Sequence, residues 1–438
     1  MFSKISLTTL LFLSLNSAFG QADVEKKIQT QLILAKDGST VEITEGSFTM
    51  TKSLSLEGKK NITIRGKGMD KTILSFKNQT SGAEGIRISE CENITLEDLT
   101  VQDSKGDLIK TMHVKGITFR RIKAEWTGKP SATNGGYAFY PVQCENVLID
   151  GCVARGASDA GIYVGQSKQI VVKNCTAIEN VAGIEIENSL HADVFDNVAT
   201  GNTGGILVFD LPDLVQKQGG YIRVFHNTIK ENNLANFAPK GNIVATVPQG
   251  TGILILATNH VEIYDNQIIN NKSTGLSIIS YFMTEKLVKD KDYYPYPTAI
   301  NVHDNNFERR HERATSKGRF GQIFMFKLRF GKNVPHIMYD GIVDPKTKDA
   351  SGNIKPESRI CIRNNKNQTV ANIDAENGFK NINRDAAAFD CEVKFWSEEL
   401  NTTFGELLKF PERLFSLFIR VIRVIGGCSI SYNSLKKS

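Results

Sequence analysis

Between Gly161 and Phe209 the chain repeats itself. The segments GIYVG, GIEIE and GILVF open at Gly161, Gly183 and Gly205, 22 residues apart each time. Looser copies open at Gly85, Leu108, Ala138, Gly252 and Gly275, with longer steps where residues are inserted. Within one unit Ile162 and Val164 share one face and Tyr163 takes the other, the period of a strand. QIVVKN repeats that pattern with Ile170 and Val172, and TAIEN supplies a third, weaker strand. Three short strands per unit leave each unit unable to bury its inner residues alone. Stacking does so, and the pattern predicts an all-β chain, a parallel β-helix of about 22-residue coils.

An Asn follows the second strand at Asn174, Asn197, Asn227, Asn266 and Asn305. Asn tolerates the left-handed backbone, and its amide bonds neighbours in a stack, so these five are expected to form a structural ladder. The sequons at Asn61, Asn93 and Asn174 fall within this pattern and are not read as glycosylation sites. Cys152 and Cys175 occupy equivalent positions and are read as stacked thiols. Among the seven cysteines no CxxC occurs, and Cys361 with Cys391 is the candidate disulfide.

The first 20 residues carry Lys4, an apolar run from Leu10 to Leu15 and Ala18-Phe19-Gly20, the pattern of a cleaved export signal. Residues 21–60 read as an N-terminal cap and first coil, with Val24, Ile28 and Leu32 at helical spacing to cover the open end of the solenoid. Residues 61–307 are the β-helix proper, 308–395 late coils and a C-terminal cap, and 396–438 a tail of different composition. The tail's apolar run is too short and too Arg-interrupted to span a membrane. A hydrophobic content of 40% with 23% charged residues describes a folded soluble chain, and a net charge of +6, spread along it, argues against nucleic acid as partner.

The segments ASDAGIYVGQSKQIVVKN, NVAGIEIENS and NTGGILVFDLPDL resemble the pectin-lyase-like superfamily of right-handed parallel β-helices. More narrowly they resemble a family of exported bacterial β-helix repeat proteins, typically Gram-negative, without an assigned activity. The likeness runs from Asp37 to Cys391. It implies a periplasmic or extracellular protein. Relatives of this fold include polysaccharide lyases, uronan epimerases, glycosidases and periplasmic proteins that assist metal-centre maturation. The DPHD motif of alginate C5-epimerases is absent here.

The register places Arg87, Lys110, Tyr140, Tyr163, Glu185, Leu207, Leu254 and Ser277 in one outward column of the first strands. A second column holds Glu90, His113, Gln143, Gln166, Asn188 and Asp210. Insertions at Thr127–Gly135, Leu211–Gly220, Asn233–Thr251 and Tyr281–Thr298 flank the same sheet, and are expected to wall a groove. Tyr293, Tyr294 and Tyr296 suit stacking on sugars.

Elimination or C5 epimerisation of a uronic sugar needs a cation to neutralise the carboxylate, a base and an acid. Lys110, Tyr140, Tyr163 and His113 are the candidate catalytic residues. Arg87, Gln143, Gln166, Glu185, Asn188 and Asp210 are the candidate substrate contacts. A hydrolase would draw instead on Asp159, Glu185 and Asp210. No metal set is assigned; calcium on Asp159, Glu185 and Glu187 stays an alternative. Two functions therefore stand side by side: a lyase or epimerase on an acidic polysaccharide, and a non-catalytic scaffold that binds glycan or an exported partner protein.

Overall fold

The computed structural model describes residues 24–393. The export-signal segment and the tail from 396 lie outside the described residues.

Each coil carries three strands, as in Ala160–Gly165, Lys168–Lys173 and Thr176–Ile178. The first strands stack into one 11-stranded parallel sheet, from Lys52–Glu57 to Val370–Asn372. The second and third strands form the remaining faces, again parallel and in register from coil to coil. Register brings like onto like. Ile162 pairs with Ile184, Ile184 with Ile206, Ile206 with Ile253 and Ile253 with Leu276, all buried in one continuous core. Residues 24–34 form an N-terminal helix whose Ile28 and Leu32 are buried in that core.

The corners explain the recurring amides. Asn197, Asn227, Asn266, Asn305 and Asn365 hydrogen-bond side chain to side chain, each Nδ2 donating to the Oδ1 of the next at 2.8–3.0 Å. Asn174 is not among them. It lies exposed with φ 54°, and Cys175 takes the ladder position, its backbone N–H donating to Asn197 Oδ1 at 2.9 Å. The left-handed residue is the one before each ladder amide: Asp196, His226, Asp265, Asp304 and Asn364. The chain turns at an exposed residue and then inserts the amide, which satisfies backbone groups a buried corner would otherwise orphan. A second ladder, Asn180, Asn202, Asn232 and Asn271, runs along the corner that precedes the first strands.

Coils continue beyond the strand Asn306–Glu308. Strands Ile337–Tyr339, Ile360–Arg363 and Val370–Asn372 belong to them. Cys361 and Cys391 form a disulfide with Cα atoms 4.9 Å apart, tying this end to the last coils. Between Phe307 and Ile337 the chain leaves the solenoid for an α-helix, Gly318–Phe326. Phe320, Ile323 and Phe324 of this helix pack outside the first sheet, in a second apolar cluster with Leu207, Phe209, Leu254, Leu256 and Ile279.

Candidate functional site

The outer column of the first sheet is confirmed by register: Arg87 pairs with Lys110, Lys110 with Tyr140, Tyr163 with Glu185 and Glu185 with Leu207. Its surroundings differ from the expected groove. Segments 233–250, 281–297 and 309–335 fold down onto the sheet and bury it, because Leu207, Phe209, Leu254 and Leu256 offer an apolar surface that water would otherwise cover. Val244, Val247, Tyr281, Met283 and Tyr293 of these segments join the second cluster. They also hold one another. Lys286 Nζ donates to the Gly241 carbonyl at 3.3 Å, and Arg319 pairs with Glu285 at 2.8 Å. The face is thus divided. Ser55, Arg87, Lys110 and Tyr140 lie on open coils, while Tyr163 is 3% exposed and Glu185 1%.

At this divide three tyrosines meet. Tyr137 lies 4.4 Å from Tyr140 and 4.5 Å from Tyr163 by ring centroids, and Tyr140 stands edge-on to Tyr163 at 5.0 Å. The Lys110 ammonium sits 4.8 Å from the Tyr140 ring centroid and 3.9 Å from Glu84 Oε1. Tyr163 donates its hydroxyl to Glu187 Oε1 at 2.7 Å. Gly165 makes this possible, since a Cβ there would fall on the Tyr163 hydroxyl and ring. Burial raises the Tyr140 phenol to about 12 and the Tyr163 and Tyr137 phenols well above their usual value. All three therefore keep their protons near neutral pH, which removes Tyr140 and Tyr163 from the role of resting base.

The proton chemistry lies in the acids instead. Burial pushes Asp107 up to about 6, opposed by the nearby Lys110. Asp159 and Glu187 are each pushed up to about 7, first by burial; Glu187's charge adds to the rise at Asp159. Glu185 and Asp210 are raised well above the usual carboxylate range by burial, with neighbouring carboxyls adding to it. Asn242, from the covering segment, donates to Asp159 Oδ2 at 3.1 Å, and Gly219 N–H donates to Asp210 Oδ2 at 2.8 Å. Asp107 is not singled out by the sequence, and Glu187 enters there only as an alternative calcium ligand. The signal for Glu187 was the alternation IEIE, which puts Glu185 and Glu187 on the same outward face.

The second column sits past the strand ends. Glu90, His113, Gln143, Gln166 and Asn188 all have left-handed backbone, φ 41–54°. His113 bonds along the corner, Nδ1 to Glu90 Oε1 at 2.6 Å and Nε2 to Gln143 Oε1 at 2.7 Å, and these bonds raise its pKa. It does not join the tyrosines. Gln166 Oε1 accepts from Val215 N at 3.0 Å, and Asn188 bonds Leu211 and Gln216, so both pin the 211–219 loop. Tyr293 is likewise an anchor, donating to the Asp210 carbonyl at 2.6 Å, whereas Tyr294 and Tyr296 remain half-buried. Among the described residues no group of three or more His, Cys, Asp and Glu side chains is arranged to hold a metal ion. No described helix is long and apolar enough to cross a membrane.

Two family models match the sequence. A right-handed β-helix region matches residues 32–215, and the periplasmic copper-binding protein (NosD) model matches 129–319. The described residues fold as a right-handed parallel β-helix of stacked repeats. The pre-neck appendage protein of Bacillus phage phi29 is 27% identical over 221 residues, 48% of this chain. The chain spans about a quarter of the length of the curated relatives it matches. Among solved structures, the mannuronan C-5 epimerase A-module of Azotobacter vinelandii is similar, with 13% identity, a TM-score of 0.43, and coverage of 73% of this chain and 89% of that one. A pectate lyase matches with 13% identity and a TM-score of 0.36, over 65% of this chain and 70% of its own.

Proposed function

We propose that the protein binds an extended glycan across the open coils of the first sheet, and that the carboxyl groups at the edge of the covered half move protons on it. One observation carries this reading. The open strip ends at the place where three tyrosines and three carboxyls with near-neutral pKa values meet. Four open coils spaced about 4.8 Å apart give a track of about 14 Å, room for a few sugar rings. Tyr140 offers a partly exposed aromatic surface, and a carboxyl that titrates near the working pH is suited to general acid–base catalysis. The apolar run at Leu10–Leu15 and the periplasmic model support action outside the cytoplasm.

The test is calorimetric binding of neutral, uronic and amino oligosaccharides to the wild type and Tyr140→Ala, with reducing-end release followed in parallel. Binding lost in Tyr140→Ala supports the site. Binding unchanged by that substitution, or no binding to any sugar, overturns it. Turnover abolished by Glu187→Gln makes the protein an enzyme; binding without turnover makes it a scaffold.

A second reading, a lyase or C5-epimerase on a uronic polysaccharide, is favoured by Arg87 and Lys110 standing side by side on adjacent open coils. It predicts ultraviolet-absorbing unsaturated products, or inverted C5 centres by NMR, both lost in Lys110→Ala. Neither signal on any polyuronate rejects it.

A further inference from the structure

The covered edge of the site is short of positive charge. Asp159, Glu185, Glu187 and Asp210 are 7%, 1%, 7% and 1% exposed. None of the four makes an ion pair within the described residues. Glu185 Oε2 and Asp210 Oδ1 accept no hydrogen bond there at all, although buried polar oxygens are rarely left without a partner. Glu185 stands on the outward column between Tyr163 and Leu207, and the charges of Asp159 and Glu187 both bear on it. The groups facing these acids are Tyr137, Tyr140 and Tyr163 from the sheet, Asn242 and Tyr293 from the covering segments, and Asp107 beside Lys110. Asp107 is half-buried at the open side. A Cβ on Gly136 would lie 3.5 Å from Asp107 Oδ1 and 3.8 Å from Asp159 Cβ, so a bare backbone separates the two acids.

The chain shows what this surface accepts. Its own Lys110 ammonium lies against the Tyr140 ring, close to Glu84 and within the field of Asp107. Tyrosine faces and carboxyls together favour cations.

We propose that this tyrosine–carboxyl box takes the ammonium group of an amino sugar, so that the glycan bound is a polymer with free amines and not a polyuronate. The proposal rests on the glycan reading above. A polyuronate would add a carboxylate per ring to a surface already crowded with acids. An ammonium would instead pair with one of them. On binding, a protonated carboxyl gives its proton to water and the resulting carboxylate pairs with the ammonium, so one ligand charge enters and up to one proton leaves.

The experiment is calorimetry at about pH 6, where acids with raised pKa values still hold protons. Glucosamine oligosaccharides, their N-acetylated counterparts and oligouronates are titrated in two buffers of different ionisation enthalpy. The expected result is binding of the free amine roughly tenfold tighter than of the N-acetylated form, with net proton release. Glu187→Gln keeps an acceptor for Tyr163, and it should reduce that preference to about two- or threefold. Asp107→Asn, at a half-buried position, is the second variant and should weaken it in the same direction. Oligouronate or N-acetylated sugar binding as tightly as the amine, or amine binding without proton release, overturns the proposal and leaves the glycan reading standing. Failure of all three sugars to bind overturns both.

Discussion

Tyr163 shows how one side chain is assigned its role by its neighbours. In isolation it is an outward aromatic on a strand. In the fold Gly165 clears a space along the strand, the ring lies into it, and the hydroxyl caps Glu187 on the next coil. A proton-moving phenol becomes a fixed donor. The acids around it have a measurable consequence for pH. Asp159 and Glu187 hold protons more tightly folded than unfolded, with values near 7 against ordinary carboxylate values near 4. The folded state therefore binds more protons than the unfolded state between about pH 4 and 7. Their contribution to stability is complete below about pH 4 and is lost as pH rises through about 7. Urea unfolding of the wild type across that window should show this decline. Asp159→Asn with Glu187→Gln should flatten it, and an unchanged slope in the double variant would refute the assignment.

Among the elements, the amide ladders were half visible in the sequence. The spacing of Asn197, Asn227, Asn266 and Asn305 marked one of them. Asn174 has the same spacing but lies next to Cys175, which takes the ladder position, and only the turn geometry decides which of two adjacent residues points inward. The second ladder, beginning at Asn180, is not legible in the sequence because its members fall among ordinary turn residues such as Gly201 and Thr203. The two kinds of Asn separate on mutation. Asn227 is fully buried, and its amide donates to Val194 O, Phe225 O and Asn266 Oδ1 while accepting from Asn197. Asn227→Ala leaves several of these partners unpaired in the core and should destabilise the chain by about 3 kcal/mol. Asn174→Ala, at an exposed turn, should change stability by no more than about 0.5 kcal/mol. Chemical denaturation of the pair gives the comparison, and equal effects would contradict the ladder.

For the whole molecule, the covering of the first sheet is the main departure from a plain solenoid. It divides a long face into an open N-terminal strip and a second core. Phe324 is fully buried in that core, far along the sequence from the strands it helps to cover. Phe324→Ala should cost about 3–5 kcal/mol locally. Hydrogen exchange should quicken in 233–250 and 309–335 while the inner strands stay protected. Uniform quickening through the β-helix would mean that the cover and the solenoid unfold as one. The sequence by itself determined the coil, its period, its parallel register and the identity of the outward column, because each follows from local alternation repeated at a fixed step. It also exposed Leu207 and Leu254 as outward apolar residues, without saying what lay against them. Only the tertiary structure decided that the segments 233–250 and 281–297 lie on the sheet instead of beside it, and that Asp159, Glu185 and Glu187 share a box with three tyrosines. Those contacts join segments tens of residues apart, and their pKa values depend on burial, which no local pattern records.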